Sequence, residues 1–518
     1  ETCEKYQHIA SGSVELSGMQ QEYESVQLLL RGSEPFRVEV ESTIRLPLTW
    51  YQVGYVFTKP TSRVEGSGGG WRPDPLLDPS TDGISVPADF SQPLWLTWHF
   101  STSGPVQDQG EILVKINGAV SHRIPLSVKV GDVVVPSVWN SSLKQLWGFQ
   151  ERYLEPIYGS PVPPSILSQF QELLSSHRVP VPAKPEDYSK HKNPVIEIPL
   201  PYVANTFPDG TEYANGVTFP NCQYGFLDPS EMDNAVALVR KQVDDLVKQG
   251  WPYVYGYGKD EPDAACANLL RQAYARFKEI PNLKIIAATN WDGDLMKPDY
   301  PMDAWVQLYH RYNDTAAKAW VDAGKEMWGY HCIEPSGSHF MNLFIERPLI
   351  HSRLLFWLAA KRHYNGWLYW VDDLWRSCPQ VGDSARHHLR PINSTHTALM
   401  DFPPESYIWC PQIQNIFANG DGYYVYPGEH GPINSQRLQQ IRDGLEEVEL
   451  FRMLPDKSSI AELTKSLVRG PTDWTDDPTK LRSVREAALD AATKTLLHPR
   501  AGNFVELTDD PVVDSELL

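Results

Sequence analysis

The chain has 518 residues, 41% hydrophobic and 21% charged, which is long enough for two or three packed domains with sizeable cores. Its formal net charge of -19 repels phosphate backbones and anionic membrane surfaces, which argues against nucleic-acid or lipid-surface partners. No apolar run approaches the roughly 20 residues needed for a bilayer span. The best candidate, LLFWLAA, is short and flanked by Arg353 and Lys361.

The chain opens ETCEKYQ, with neither an initiator Met nor an apolar leader, and reads as cut from a precursor or trimmed. Residues 1–140 form short alternating segments. In FRVEVES, Phe36, Val38 and Val40 share one face while Arg37, Glu39 and Glu41 share the other, and LWLTWHF, EILVKING and IPLSVKV behave alike. This predicts an N-terminal antiparallel β-sandwich. Between its strands, VEGSGGGWRPDPLLD has glycines but no following lysine or helical pattern, so it reads as a long loop and not as a phosphate cradle.

Over residues 141–432 the rhythm becomes strand, loop and helix in turn. DPSEMDNAVALVRKQVDDLVKQGW carries Ala235, Val236, Val239, Val243, Leu246 and Val247 at helical spacing and stops at Gly250. The predicted strands are LWGF, EIPLPYV, GVTFPNCQYG, YVYGYG, KIIAATN, AWVQLYH, MWGYHCIEP and GWLYWVDD. About eight parallel strands with intervening helices predict a (β/α)8 catalytic barrel. Residues 433–518 are helical and charged and are expected to pack on the barrel's outside, NSQRLQQIRDGLEEVELFRML being the clearest stretch.

In such barrels the active site lies at the carboxyl ends of the strands. Asp260 and Glu261, in YVYGYGKDEPD, end the fourth predicted strand. Asn290, Trp291 and Asp292 end the fifth, Tyr309 and His310 the sixth, Tyr330, His331 and Glu334 the seventh, and Trp370, Asp372 and Asp373 the eighth. Seventeen tryptophans add aromatic faces of the kind that pack on sugar C–H groups. Outside a barrel, Asp-Glu-Pro after a strand reads as a helix start, with acidic residues favoured by the helix dipole. GYGKDE imitates part of a dinucleotide fingerprint, but the third glycine is missing and two carboxylates would face the pyrophosphate. His387 and His388 read as a solvated face, H-E-x-x-H is absent, and neither a metal nor an organic cofactor is expected.

For a glycoside substrate, an ordinary retaining enzyme needs two carboxyl groups about 5 Å apart on opposite sides of the anomeric carbon. Adjacent residues suit substrate-assisted chemistry better. There the sugar's 2-acetamido carbonyl is the nucleophile, Glu261 protonates the leaving oxygen, and Asp260 orients the acetamido N–H and stabilises the oxazolinium ion. Barrel walls are expected to shield Glu261 from water.

The segments YGKDEP, WGYHCIEP, NGWLYWVDDLW and GDGYYVYPGEHGPINSQRLQQIRDGLEEVELF resemble the catalytic domain of glycoside hydrolase family 123, the β-N-acetylgalactosaminidases. QEYESVQLLL, VGYVFTKP, WRPDPLLD and QPLWLTWHF resemble that family's N-terminal β-sandwich. The resemblance implies a retaining exo-hydrolase that releases terminal β-linked N-acetylgalactosamine, with the family's adjacent Asp and Glu falling on Asp260 and Glu261. It also implies an aromatic cage for the acetamido group. Tyr309, Trp328, Tyr330 and Trp370 are the candidates, with Asn290 and Asp373 as further substrate-binding candidates.

Two alternatives remain open at this point: a β-N-acetylglucosaminidase with the same mechanism, and a non-catalytic sugar-binding protein. The substrate class in the galactosaminidase reading is a β-GalNAc-terminated glycan or glycolipid. Sequons at Asn140, Asn313 and Asn393, with six cysteines (Cys3, Cys222, Cys266, Cys332, Cys378 and Cys410), lead us to expect a secreted or lumenal glycoprotein with a disulfide.

Overall fold

A computed structural model of the chain describes residues 12–58, 65–66, 69–181, 193–201, 229–262, 264–290, 296–374 and 418–497. Nine strands precede residue 135: β1 Val14–Gln20, β2 Tyr23–Leu30, β3 Phe36–Ser42, β4 Leu48–Thr58, β5 Gly70–Leu77, β6 Ile84–Val86, β7 Gln92–His99, β8 Val106–Ile116 and β9 Ala119–Val134. They form two facing sheets. One has the order β1-β9-β8-β3-β6, and the other contains β5-β4-β7-β2. The inward residues of the alternating segments, among them Val38, Val40, Leu94, Leu96, Trp98, Ile112, Val114 and Val128, fill the space between the sheets.

Two details differ from the sequence reading. The β1–β9 ladder is parallel, whereas the other ladders of these nine strands are antiparallel. The stretch read as a loop is strand from Gly70 to Leu77 and pairs with β4. Pro73 and Pro75 hide it, because a residue without an N–H ordinarily argues against an interior strand.

The next seven strands are β10 Lys144–Trp147, β11 Val195–Pro199, β12 Tyr253–Tyr257, β13 Leu283–Ala288, β14 Ala304–Leu308, β15 Glu326–Tyr330 and β16 Gly366–Tyr369. They make one parallel sheet in the order β10-β16-β15-β14-β13-β12-β11, and its two end strands, β10 and β11, meet. The result is a nearly closed, barrel-like sheet with helices outside it. Alternate residues point inward to an apolar lumen that includes Leu146, Val195, Tyr255, Ile286, Val306, Trp328 and Leu368. The opposite faces, such as Ile196, Val254, Trp305 and Trp367, pack under the helices, so both faces of each strand are buried.

The expected eighth strand, GVTFPNCQYG, lies outside the described residues. Among the described residues, β11 pairs directly with β12 from Val195↔Tyr253 to Pro199↔Tyr257. Among the described residues β12 is therefore the third strand of the sheet in chain order, not the fourth.

The amino end of the barrel is closed by charge. Glu326 accepts hydrogen bonds from Lys144 Nζ (2.7 Å), Lys284 Nζ, Tyr255 Oη (2.7 Å) and Trp328 Nε1 (2.9 Å). Burial alone would push its carboxyl up, but the two lysines and Trp328 hold it down at about 2. A folded-state value below the ordinary carboxylate range means stability that is present above about pH 4.5 and lost as pH falls toward 2. Glu326→Gln is expected to cost about 3 kcal/mol at neutral pH and to flatten that acid dependence, as read by denaturant unfolding between pH 3 and 7.

Beyond the barrel, β17 Tyr426–Gly428 and β18 Gly431–Ser435 do not stay with it. β18 pairs with β5 and extends the sandwich sheet. The helix Gln436–Arg452 that follows was expected on the barrel's outside. It packs on the barrel helix His351–Lys361 and also under the sandwich, so it is buried almost all round. Its charges are paired accordingly. Arg353 makes a bidentate pair with Glu447 (2.7 and 2.7 Å), Arg437 reaches Asp74 of β5 (2.9 Å), and Arg485 joins Glu22 (2.7 Å) and Glu24 (2.6 Å).

Candidate active site

The turn after β12 is fixed by backbone contacts. Gly258 donates its N–H to the Ile286 carbonyl (2.8 Å), and a Cβ there would lie 2.2 Å from the Tyr274 hydroxyl. That same hydroxyl accepts the Lys259 N–H at 2.8 Å, so Gly258 is required by close approach. Glu261 has φ of +38°, a left-handed backbone uncommon for a non-glycine residue, and its N–H is tied to the Ala288 carbonyl at 3.0 Å. The turn thus holds Asp260 and Glu261 at the carboxyl end of the barrel in a conformation that the chain would not adopt unaided.

Each carboxylate has its own tyrosine. Tyr257 donates to Asp260 Oδ1 at 2.9 Å, and Tyr330, from β15, donates to Glu261 Oε1. Tyr330 in turn accepts from Asn290 Nδ2 (2.9 Å), and Asn290 Oδ1 accepts the Leu308 N–H (3.3 Å). This chain, from β14 through Asn290 and Tyr330 to Glu261, fixes the orientation of the carboxylate. Glu261 is exposed, so the barrel walls do not shield it as expected.

Asp260 also touches water, yet protein surrounds it closely enough that desolvation raises its carboxyl above the ordinary value of 3.8. The Tyr257 hydrogen bond opposes that rise and the Glu261 charge adds to it.

Three substrate-binding candidates do not reach the mouth. Trp328 is fully buried and faces the lumen two residues before Tyr330, about 6–7 Å deeper along the strand, with its indole N–H committed to Glu326. Tyr309 follows the end of β14 in a tight turn. Its ring packs outside the sheet against Trp367, and its hydroxyl donates to the Met341 carbonyl. Asp373 is fully buried and accepts the Gln150 N–H (3.0 Å), capping the short turn Glu151–Tyr153 that follows β10. Asp372 is buried as well. Tyr330, Asn290 and the half-buried Trp370 remain at the mouth, whereas Trp291 and Asp292 lie outside the described residues.

Residues 257–454 match the family model described as glycoside hydrolase 123, catalytic domain. Over these residues the chain is similar to the catalytic domain of glycoside hydrolase family 123. A solved family 123 glycoside hydrolase from Clostridium perfringens, studied for glycolipid glycan hydrolysis, shares the fold with a TM-score of 0.59 at 12% identity, covering 94% of this chain and 93% of that one. A family 39 glycoside hydrolase from the gut symbiont Bacteroides cellulosilyticus WH2 gives a TM-score of 0.29 at 11% identity, over 73% of this chain and 78% of its own. No curated protein matches the chain by sequence. The family 123 domain makes the chain a glycosidase with a carbohydrate substrate.

Two carboxyl groups near the family 123 mouth escaped sequence reasoning. Glu197, in β11, shares the inward parity of Val195 and lies opposite Tyr255 of β12. Its side chain reaches water, yet the protein packed around it desolvates the carboxyl and, with the Asp260 charge added, pushes it up to about 7. Asp421 sits beyond β16, where its Oδ1 accepts from Tyr369 Oη (3.2 Å) and Trp370 Nε1 (3.3 Å). Burial raises it to about 7 against the pull of those two donors. Strongly shifted carboxyls that gather at one cleft suit a functional site. Among the described residues, no group of three or more His, Cys, Asp or Glu is arranged to hold a metal ion.

Proposed function

We propose that this glycosidase is a retaining, exo-acting β-N-acetylgalactosaminidase that works by substrate-assisted catalysis. The observation that carries the reading is the adjacency of Asp260 and Glu261 with separate hydrogen-bond partners, Tyr257 for one and Tyr330 for the other. Two adjacent carboxylates do not flank an anomeric carbon from opposite sides, so neither is well placed as an enzymic nucleophile opposite the other as acid. The sugar's acetamido oxygen supplies the missing nucleophile. It attacks C1 as the C1–O bond to the aglycone breaks, and Glu261 gives its proton to the leaving oxygen. Asp260 accepts the acetamido N–H and stabilises the positive oxazolinium ring. Glu261 then takes a proton from water as that water attacks C1 from the vacated side, which reopens the ring with retention.

The family match and the C. perfringens relative's glycolipid work support N-acetylgalactosamine on a glycolipid or similar glycan as the substrate. Exposed sequon asparagines at Asn140 and Asn313, and the disulfide-bonded Cys266, support a secreted or lumenal glycoprotein. Asn313 Oδ1 caps the helix Asp314–Asp322 by accepting the Ala316 N–H. Asn393 lies outside the described residues.

The test is hydrolysis of chromogenic β-GalNAc, β-GlcNAc and β-Gal glycosides side by side. The expected order is GalNAc first, GlcNAc weaker and Gal inert. Equal turnover of β-Gal would overturn the acetamido mechanism, a preference for β-GlcNAc would favour the glucosaminidase reading, and no turnover at all would favour a sugar-binding protein.

A further inference from the structure

The stretch Gly420–Asp421–Gly422 is built to aim one carboxyl. Both glycines have left-handed backbones, φ +92° and +83°. A Cβ on Gly420 would fall 2.6 Å from Arg437 Nη1, and one on Gly422 would press on Leu374 and on the Trp370 ring. Arg437 Nη1 donates to the Gly420 carbonyl (2.9 Å), while the Tyr369 hydroxyl accepts the Gly422 N–H (2.7 Å) and donates to Asp421 Oδ1 (3.2 Å). With the Trp370 indole on the same oxygen, Asp421 is clamped from both neighbours, and among the described residues nothing bonds Oδ2. The residue is 4% exposed, so holding its carboxyl there carries a desolvation cost.

The position of Asp421 follows from the sheet order. β12, which carries Asp260 and Glu261, is separated from β16 by β11 and β10 on one side and by β13, β14 and β15 on the other. The Asp421 cradle is joined to the end of β16 through Tyr369, whose ring packs outside the sheet, and through half-buried Trp370, so in the sheet order it stands on the side away from the catalytic pair. Cys332, just beyond β15, lies close enough to both Asp421 and Glu261 to feel their charges. In a pyranose ring C4 and the C6 arm lie opposite C1 and C2. A sugar with its acetamido group and C1 at Asp260 and Glu261 therefore turns its C4 and C6 edge toward Asp421.

We propose that Asp421 recognises the terminal sugar by accepting a hydrogen bond from its C4 or C6 hydroxyl, with the half-buried Trp370 ring beside it as an apolar face for the ring carbons. The proposal rests on the reading that the mouth holds a terminal N-acetylhexosamine. A hydroxyl that donates to a fixed carboxylate gives strong discrimination, since an analogue lacking it leaves the carboxylate unpaired.

The experiment compares wild type with Asp421→Asn, which keeps the shape, on a chromogenic β-GalNAc glycoside and its 4-deoxy and 6-deoxy forms. Expected is a fall in kcat/KM of roughly 10- to 100-fold on the parent. On the deoxy form that lacks the bonded hydroxyl, wild type and variant should agree within about threefold. The same loss on all three substrates, or no loss on the parent, would overturn the assignment. Kd values for a galacto-configured thiazoline and its deoxy forms give the same comparison without turnover. An inactive wild type that still binds them would count against the proposed reaction alone, while the binding pattern decides the role of Asp421. A wild type that binds none of them overturns both.

Discussion

Glu261→Gln is expected to lower kcat/KM on glycosides with poor leaving groups, such as a sugar aglycone, by roughly 10²- to 10⁴-fold, the usual contribution of a positioned general acid. On a 2,4-dinitrophenyl glycoside, whose leaving oxygen departs without a proton, the loss should be under about tenfold, because the acetamido attack and Asp260 are untouched. The amide keeps the bond from Tyr330 and the tie of the residue 261 N–H to the Ala288 carbonyl, so the left-handed turn should persist. Thermal unfolding should shift little. An equal loss on both substrates would remove Glu261 from proton transfer and leave it a binding role.

Asp260→Asn is expected to reduce kcat/KM on every substrate by roughly 10²- to 10³-fold, regardless of the leaving group, because the positive charge on the oxazolinium loses its counter-charge. pH dependence separates this from a packing defect. The Asp260 carboxyl is held above its ordinary value chiefly by desolvation, so it takes up its proton at a higher pH than a free aspartate does. Wild-type kcat/KM should therefore rise with pH through that raised value, as the active ionised form appears. In Asp260→Asn this acid limb should vanish. A variant that keeps the limb would assign it to another group, and Glu197, which titrates near 7 beside Asp260, is the first candidate.

The parts of this molecule legible in the sequence were those set by local pattern. Alternation in FRVEVES and LWLTWHF gave the sandwich, helical spacing gave the helix before β12, and YVYGYGKDEP gave a strand running into a turn. What remained hidden depends on depth and register. Trp328 and Tyr330 share one inward face two residues apart, and only the register of β15 tells that one binds Glu326 at the barrel's base while the other reaches Glu261 at its mouth. Tyr309 stands at a strand end like Tyr330, but the turn that follows β14 rotates it out of the lumen. Asp373 looks like a mouth residue until its bond to the Gln150 N–H places it in a cap.

Glu197 was overlooked because VIEIP is too short to show its alternation. Asp421 was overlooked because GDG reads as a bare turn until Tyr369 and Trp370, fifty or so residues earlier, are seen to hold it. The described residues show seven of the eight expected strands, and the remaining one lies outside them. Whether a segment joins a sheet is decided by its partners.

The central claim is that the substrate's own acetamido oxygen is the nucleophile. It is tested most directly by kcat/KM on a series of β-GalNAc glycosides whose N-acetyl group carries zero, one, two and three fluorines. Each fluorine withdraws electron density from the carbonyl oxygen without changing the leaving group. If that oxygen attacks C1, kcat/KM must fall steeply and monotonically along the series, with the trifluoroacetamide nearly inert. A flat series, with all four substrates cleaved at similar rates, would contradict the account and require a nucleophile supplied by the protein.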